Sequence, residues 1–171
     1  MKILIAYSSK SGTTRECAEE LAAKLAPNEV TLACLEQGSP DLSGFDIAVI
    51  GGYVRMGKIS KYVRNYVAEN AALLAVTMHA FFICCGLPES TEYYFEKAIP
   101  RDLLNSSISN ICFGGDLRVK KQKGLDRFIA KLILSEIKNN NADADRDEDK
   151  TVPAVLPENI SRFADEIRHH F

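Results

Sequence analysis

The amino-terminal stretch constrains the fold most. Lys2 to Tyr7 is a short apolar run that reads as a buried strand, and Thr14 to Ala26 places Cys17, Ala18, Leu21, Ala22 and Leu25 at helical spacing. The segment between them, Ser8-Ser9-Lys10-Ser11-Gly12-Thr13-Thr14, is therefore a strand-to-helix turn rich in hydroxyls. A helix start leaves its first amides without intrahelical acceptors and carries the positive end of the helix dipole. Ser9, Ser11, Thr13 and Thr14 can add hydroxyl donors, so the stretch reads as a seat for a phosphate. The plainer reading is a turn whose hydroxyls only cap the helix, and Thr13 with Glu16 has the spacing of a capping box. A strand before the motif and a helix after it favour the phosphate reading.

The rest of the chain repeats the same alternation. Glu29 to Leu35 is a second strand, ended by Gln37-Gly38-Ser39-Pro40, and Phe45 to Ile50 is a nearly continuous apolar run closed by Gly51-Gly52. Ile59 to Leu74 follows as a helix with Val63, Tyr66, Val67 and Leu74 broadly on one face. His79 to Cys85 is a fourth strand, Thr91 to Ala98 a helix that stops near Pro100, and Ile108 to Phe113 a fifth strand before Gly114-Gly115. Leu125, Phe128, Ile129, Leu132, Ile133 and Ile137 mark an amphipathic helix, residues 139–150 a mobile acidic surface loop, and Pro157 to about His169 a last helix burying Ile160, Phe163, Ala164 and Ile167. Strands alternating with helices imply an α/β parallel sheet covered on both faces, in one domain over residues 1–171. Ligands of such sheets bind at the carboxyl ends of strands, so Ser8 to Thr14, Gly51 to Lys58 and Gly86 to Thr91 should meet at one rim.

Composition narrows the function. With 171 residues, 46% of them hydrophobic, the chain can bury a full core; it has no apolar run near membrane-spanning length and no secretion-signal pattern, which points to the cytoplasm. The five cysteines (Cys17, Cys34, Cys84, Cys85, Cys112) lack CxxC spacing and sit in apolar stretches, as buried thiols do, rather than as disulfides or zinc ligands. The net charge of −2 hides an uneven distribution: Asp143 to Asp149 alone contributes −4. Nucleic-acid binding finds no support at that balance. Asp143, Asp145 and Asp147 mimic a calcium loop, but Glu148 replaces the required glycine and Ala154 the terminal glutamate, which rejects it. No metal-ligand or Ser-His-Asp constellation can be argued from the spacing of His79, His169 and His170.

Ser9-Lys10-Ser11-Gly12-Thr13-Thr14 after a strand ending in Tyr7, with Ala18 and Leu21 on the helix that follows, resembles the FMN phosphate loop of flavodoxins. The resemblance implies a doubly wound five-stranded parallel sheet of order 2-1-3-4-5, with FMN held non-covalently. Ser9, Lys10, Ser11, Gly12, Thr13 and Thr14 would hold the phosphate; Tyr53, Val54, Arg55, Met56 and Gly57, with Cys85, Gly86 and Leu87, would hold the isoalloxazine ring. In flavodoxins a peptide of the second loop turns its carbonyl toward flavin N5 on reduction, and Gly57 is the position best able to do so. Arg55 and Lys58 would raise the flavin potential if they faced the ring, and are merely solvated if they point outward. Tyr93 and Tyr94 are the nearest candidates for stacking on the ring, with core packing the alternative.

Gly114-Gly115-Asp116-Leu117-Arg118, a basic connection, and Leu125 to Ile133 look like the long insertion of menaquinone-dependent protoporphyrinogen oxidases of flavodoxin-like fold. Three functions therefore compete: a flavin electron carrier serving protein partners, an enzyme passing electrons from a porphyrinogen to a quinone, and an FMN-free interaction module. The basic residues Arg118, Lys120, Lys121 and Lys123 beside the amphipathic helix would suit peripheral contact of 118–137 with an anionic membrane surface or an acidic substrate, a solvated loop being the alternative. The oligomeric state is left open.

Overall fold

The structure, a computed structural model, describes residues 1–115 and 154–171. Its elements in chain order are β1 (Lys2–Ser8), α1 (Thr13–Lys24), β2 (Glu29–Cys34), β3 (Ile47–Arg55), β4 (Lys58–Ile59), α2 (Lys61–Glu69), α3 (Ala71–Leu74), β5 (Met78–Cys84), a 3-10 turn at Pro88–Ser90, α4 (Thr91–Ala98), α5 (Arg101–Ser106), β6 (Asn110–Cys112) and, closing the chain, α6 (Pro157–Arg168). The main sheet runs β2-β1-β3-β5-β6, all pairs parallel, with the two-residue β4 paired antiparallel to β3. Setting β4 aside, this is the expected order 2-1-3-4-5.

The period of two in each strand explains the layering. Ile3, Ile5, Tyr7, Ile47, Val49, Ala80 and Phe82 face one way, onto Cys17 and Leu21 of α1 and Ile160, Phe163 and Ile167 of α6. Leu4, Ala6, Ala48, Ile50, Phe81 and Ile83 face the other, onto Val63, Tyr66 and Val67 of α2 and Tyr94 and Phe95 of α4. Central strands buried on both faces must be apolar at every position, and β1 is buried from Ile3 to Ser8. Phe82, Phe113 and Phe163 form an aromatic cluster: Phe82 stacks on Phe113 at 4.6 Å, and Phe163 meets Phe113 edge-on at 5.3 Å.

Three sequence expectations are corrected. Strand three does not close at Gly51-Gly52 but runs on to Arg55 and folds back through Met56-Gly57 into β4, with Arg55 opposite Lys58. The two glycines are packing residues: a Cβ at Gly51 would lie 2.0 Å from the Phe82 ring and one at Gly52 2.7 Å from Val63. The helix expected over Ile59 to Leu74 starts only at Lys61, behind Ser60 as its cap, and is broken at Asn70, whose side chain donates to the Tyr66 carbonyl. The Thr13–Glu16 capping box does not form, because α1 begins at Thr13 behind Gly12, which occupies the left-handed region at φ 97°. The helix over Thr91–Ala98 stops before Pro100 as expected, and Pro100 in turn opens α5, since a proline at a helix entrance loses no hydrogen bond.

The amphipathic helix expected over 125–137, the basic stretch within 116–138 and the acidic loop 139–150 lie outside the described residues. Among the described residues, no helix is long and apolar enough to cross a membrane.

Candidate functional site

The parallel register brings the three expected segments to one end of the sheet. Ser8 is the partner of Gly52 across β1 and β3, and Tyr53 is the partner of Cys84 across β3 and β5. The turn after β1, the hairpin after β3 and the segment after β5 therefore leave three adjacent strands at the same edge. A buried hydrogen bond from the Ser8 hydroxyl to the Ser60 hydroxyl, 2.5 Å long, ties the start of the turn to the base of the hairpin.

Within the turn, Gly12 takes the positive φ that lets the chain enter the helix abruptly. The Arg15 amide in the first turn of α1 donates to the Ser9 hydroxyl at 3.2 Å, so Ser9 does the capping expected of Thr13. The Ser11 and Thr13 hydroxyls lie 3.4 Å apart, Thr13 and Thr14 are buried, and Lys10 is exposed. The amides of Thr13 and Thr14 belong to the helix start, where no intrahelical acceptor exists. The Ser9 amide donates to the Glu36 carboxylate at 3.0 Å, and the other oxygen of Glu36 accepts from the Cys34 thiol at 3.1 Å. Partial burial, with this carboxylate beside it, pushes the Cys34 thiol up. The turn thus already holds one anionic oxygen on a backbone amide.

Sequence reading did not single out Glu36 or Ser60. Both are far from the turn along the chain, and only the parallel pairing of β2 and β3 on either side of β1 places them beside it. A usable signal existed for Glu36: it is the first carboxylate after a strand that pairs with β1.

In the hairpin, Tyr53 and Val54 are half-buried while Arg55, Met56, Gly57 and Lys58 are exposed, Met56 at 75%. Met56 and Gly57 both have positive φ, 49° and 71°, the signature of a two-residue turn that matches strand twist. The third segment divides. Gly86 is half-buried and Leu87 exposed at the rim, whereas the Cys85 side chain turns into the layer beneath α4 and donates to the Leu87 carbonyl at 3.4 Å. Tyr94 is buried in that layer, and Tyr93 stands exposed on α4 with the Lys97 ammonium 4.3 Å from its ring centroid. His79 is buried and structural, its ring nitrogens set on the carbonyls of Thr77 and Leu103, both at 2.8 Å.

This architecture can be compared with known proteins. The Flavodoxin domain family model matches residues 4–145. The chain belongs to the flavodoxin-domain family, whose redox cofactor is FMN. It is 28% identical to the protoporphyrinogen IX dehydrogenase [quinone] of Escherichia coli K12, over 99% of this chain and 96% of that one. A flavodoxin of Fusobacterium nucleatum, solved with flavin mononucleotide bound, superposes over 99% of this chain and 98% of its own at a TM-score of 0.52 and 12% identity. Rubredoxin oxygen:oxidoreductase of Desulfovibrio gigas superposes at 0.55 and 14% identity over 84% of this chain; the match spans only 37% of that larger protein. At such identities the structural likenesses establish the fold.

Proposed function

We propose that this chain is an FMN-binding redox protein that moves electrons through a flavin held at the carboxyl-end rim of its sheet, with residues 1–171 acting as one domain. The convergence of the turn, the hairpin and the segment after β5 on a single edge carries this reading. The turn fits a phosphate because its helix-start amides and hydroxyls converge without a cation being required, and because the Ser9 amide already donates to an anionic oxygen. Ser9, Lys10, Ser11, Gly12, Thr13 and Thr14 hold the phosphate. Tyr53, Val54, Arg55, Met56 and Gly57 border the ring on one side; Cys85, through its backbone, with Gly86 and Leu87, borders it on the other.

Bound FMN supplies one- and two-electron chemistry, and the protein supplies orientation and electrostatics. Half-buried Tyr53 and Val54 limit water at the ring, and exposed Met56 and Leu87 leave an apolar edge for an electron partner. Gly57 provides backbone freedom at the hairpin tip, where nothing lies within 4 Å of an added Cβ. The test is direct. Protein prepared with FMN should be yellow and release FMN on denaturation; colourless protein that leaves FMN fluorescence unquenched removes the reading and leaves an interaction module on the same fold.

A second reading rests on the full-length similarity to the quinone-dependent dehydrogenase. In that case electrons enter from a porphyrinogen and leave to a quinone, with a membrane surface as the natural meeting place. Incubating the FMN-loaded protein with protoporphyrinogen and a menaquinone analogue decides it: quinone-dependent porphyrin formation supports the enzyme, and none leaves an electron carrier with a protein partner.

A further inference from the structure

Cys84 and Cys85 are neighbours in sequence but not in function, because adjacent strand residues point to opposite faces. Cys84 packs in the layer under α1 and α6, and Cys85 in the layer under α2 and α4. The partner of Cys85 is Cys112, at the end of the neighbouring parallel strand β6. Their sulfurs lie 3.3 Å apart, and both residues are nearly buried, 5% and 4% exposed. The surroundings differ between the two. The Gly114 amide donates to the Cys112 sulfur at 3.3 Å, whereas the Cys85 thiol has the Leu87 carbonyl at 3.4 Å as an acceptor; across the sulfur–sulfur contact either thiol can be the donor.

We propose that Cys85 and Cys112 form a dithiol–disulfide couple at the rim of the sheet, oxidised by a small hydroperoxide and reversed by a small thiol. The assignment rests on direct sulfur contact, on the asymmetric donors and on position. The Cys85 thiol and the Gly114 amide, both aimed at its sulfur, hold the Cys112 thiol below its ordinary range, while sharing its proton with Cys112 and burial push Cys85 up. One sulfur is thus prepared as the nucleophile and the other keeps its proton, the arrangement of a sensing and a resolving cysteine.

The chemistry balances. The Cys112 thiolate attacks one oxygen of hydrogen peroxide; the O–O bond breaks, the sulfur becomes a sulfenic acid, and the departing hydroxide takes up a proton as water. The Cys85 sulfur then attacks the Cys112 sulfur, the S–S bond forms, and the S–OH oxygen leaves with the Cys85 proton as a second water. Two thiols and one peroxide give one disulfide and two waters. A small thiol returns the pair to the dithiol by exchange.

The low exposure selects a small oxidant over a bulky disulfide. Bond formation would draw the sulfurs from 3.3 Å to about 2.0 Å. That movement tightens the segment from Cys85 to Leu87 against the end of β6, and this consequence for the flavin edge is the only part that depends on the proposed FMN site.

The experiment treats the reduced full-length chain with one equivalent of hydrogen peroxide, as purified and again after FMN removal, followed by acid quench, alkylation and peptide mapping. Two of the five thiols should be lost, with a mass decrease of about 2 Da and a linked Cys85–Cys112 peptide that dithiothreitol releases. Cys85→Ser should abolish the link and leave a sulfenic acid on Cys112 that dimedone traps. The proposal is overturned if Cys34 oxidises first while Cys85 and Cys112 remain alkylatable in both preparations, or if the link joins other cysteines. Mapping the unsubstituted chain gives this answer even if a variant fails to fold, and the flavin-free arm gives it whether or not FMN binds.

Discussion

The turn after β1 and the hairpin after β3 look alike in sequence, each an apolar strand running into glycine and polar residues, yet they are built differently. In the turn, glycine acts through its backbone: Gly12 adopts a left-handed conformation so that a helix can start at once. In β3, Gly51 and Gly52 act through their missing side chains, making room for the Phe82 ring and for Val63, and the strand runs straight past them. Its actual reversal comes at Met56-Gly57, where both residues have positive φ. A glycine therefore marks a turn only when the neighbouring strand does not need the space its side chain would fill.

Electrostatics at the turn should separate the two regions most strongly. Ser11→Asp puts a carboxylate beside the proposed phosphate seat; a unit charge pair at 4 Å near a protein surface interacts by about 4 kcal/mol, so FMN affinity should fall by roughly two to three orders of magnitude. Riboflavin, which lacks the phosphate, should bind almost as before. Fluorescence titration of both flavins checks this, and an equal loss for the two would mean that the turn does not seat the phosphate.

Gly51→Ala tests the strand. Its Cβ would sit 2.0 Å from a Phe82 ring that is fully buried and stacked on Phe113, so the ring cannot swing into solvent. Overpacking of this kind costs about 1–3 kcal/mol, read as a lower urea midpoint at unchanged slope. A neutral result would return Gly51 to the role of a loop glycine.

The smallest effects belong to the hairpin tip, where there is space but not conformational freedom. Gly57→Ala meets no atom within 4 Å yet must hold φ 71°, a loss of about 1 kcal/mol. Met56→Asn places a residue tolerant of the left-handed region at φ 49° and removes no packing from a side chain 75% exposed, so stability should rise by about 0.5 kcal/mol. Opposite signs in thermal unfolding support the paired positive-φ turn; a shared sign contradicts it.

Where the chain obeyed one simple rule, its sequence was readable. β1, α1, β2, β5 and α6 fall close to their expected places because apolar period or continuous burial dominates them. The expectations that failed lie where two rules competed. Ser9 and Gly12 displaced the Thr13 cap, Asn70 interrupted an otherwise periodic helix, and the Gly51-Gly52 pair satisfied packing rather than a turn. Glu36, Ser60 and Cys112 joined the rim without any sequence motif, since each arrives on a different strand end or helix start.

Local residue pattern was enough to set the alternation of strand and helix, the apolar faces that close the sheet on both sides, and the hydroxyl-rich helix start, because these depend on residues a few positions apart. Pairing between distant strands fixed what local pattern could not: that Cys85 meets Cys112 rather than Cys84, and that Glu36 reaches the Ser9 amide. Those contacts are set by parallel register, which joins residues distant along the chain through backbone hydrogen bonds between strands.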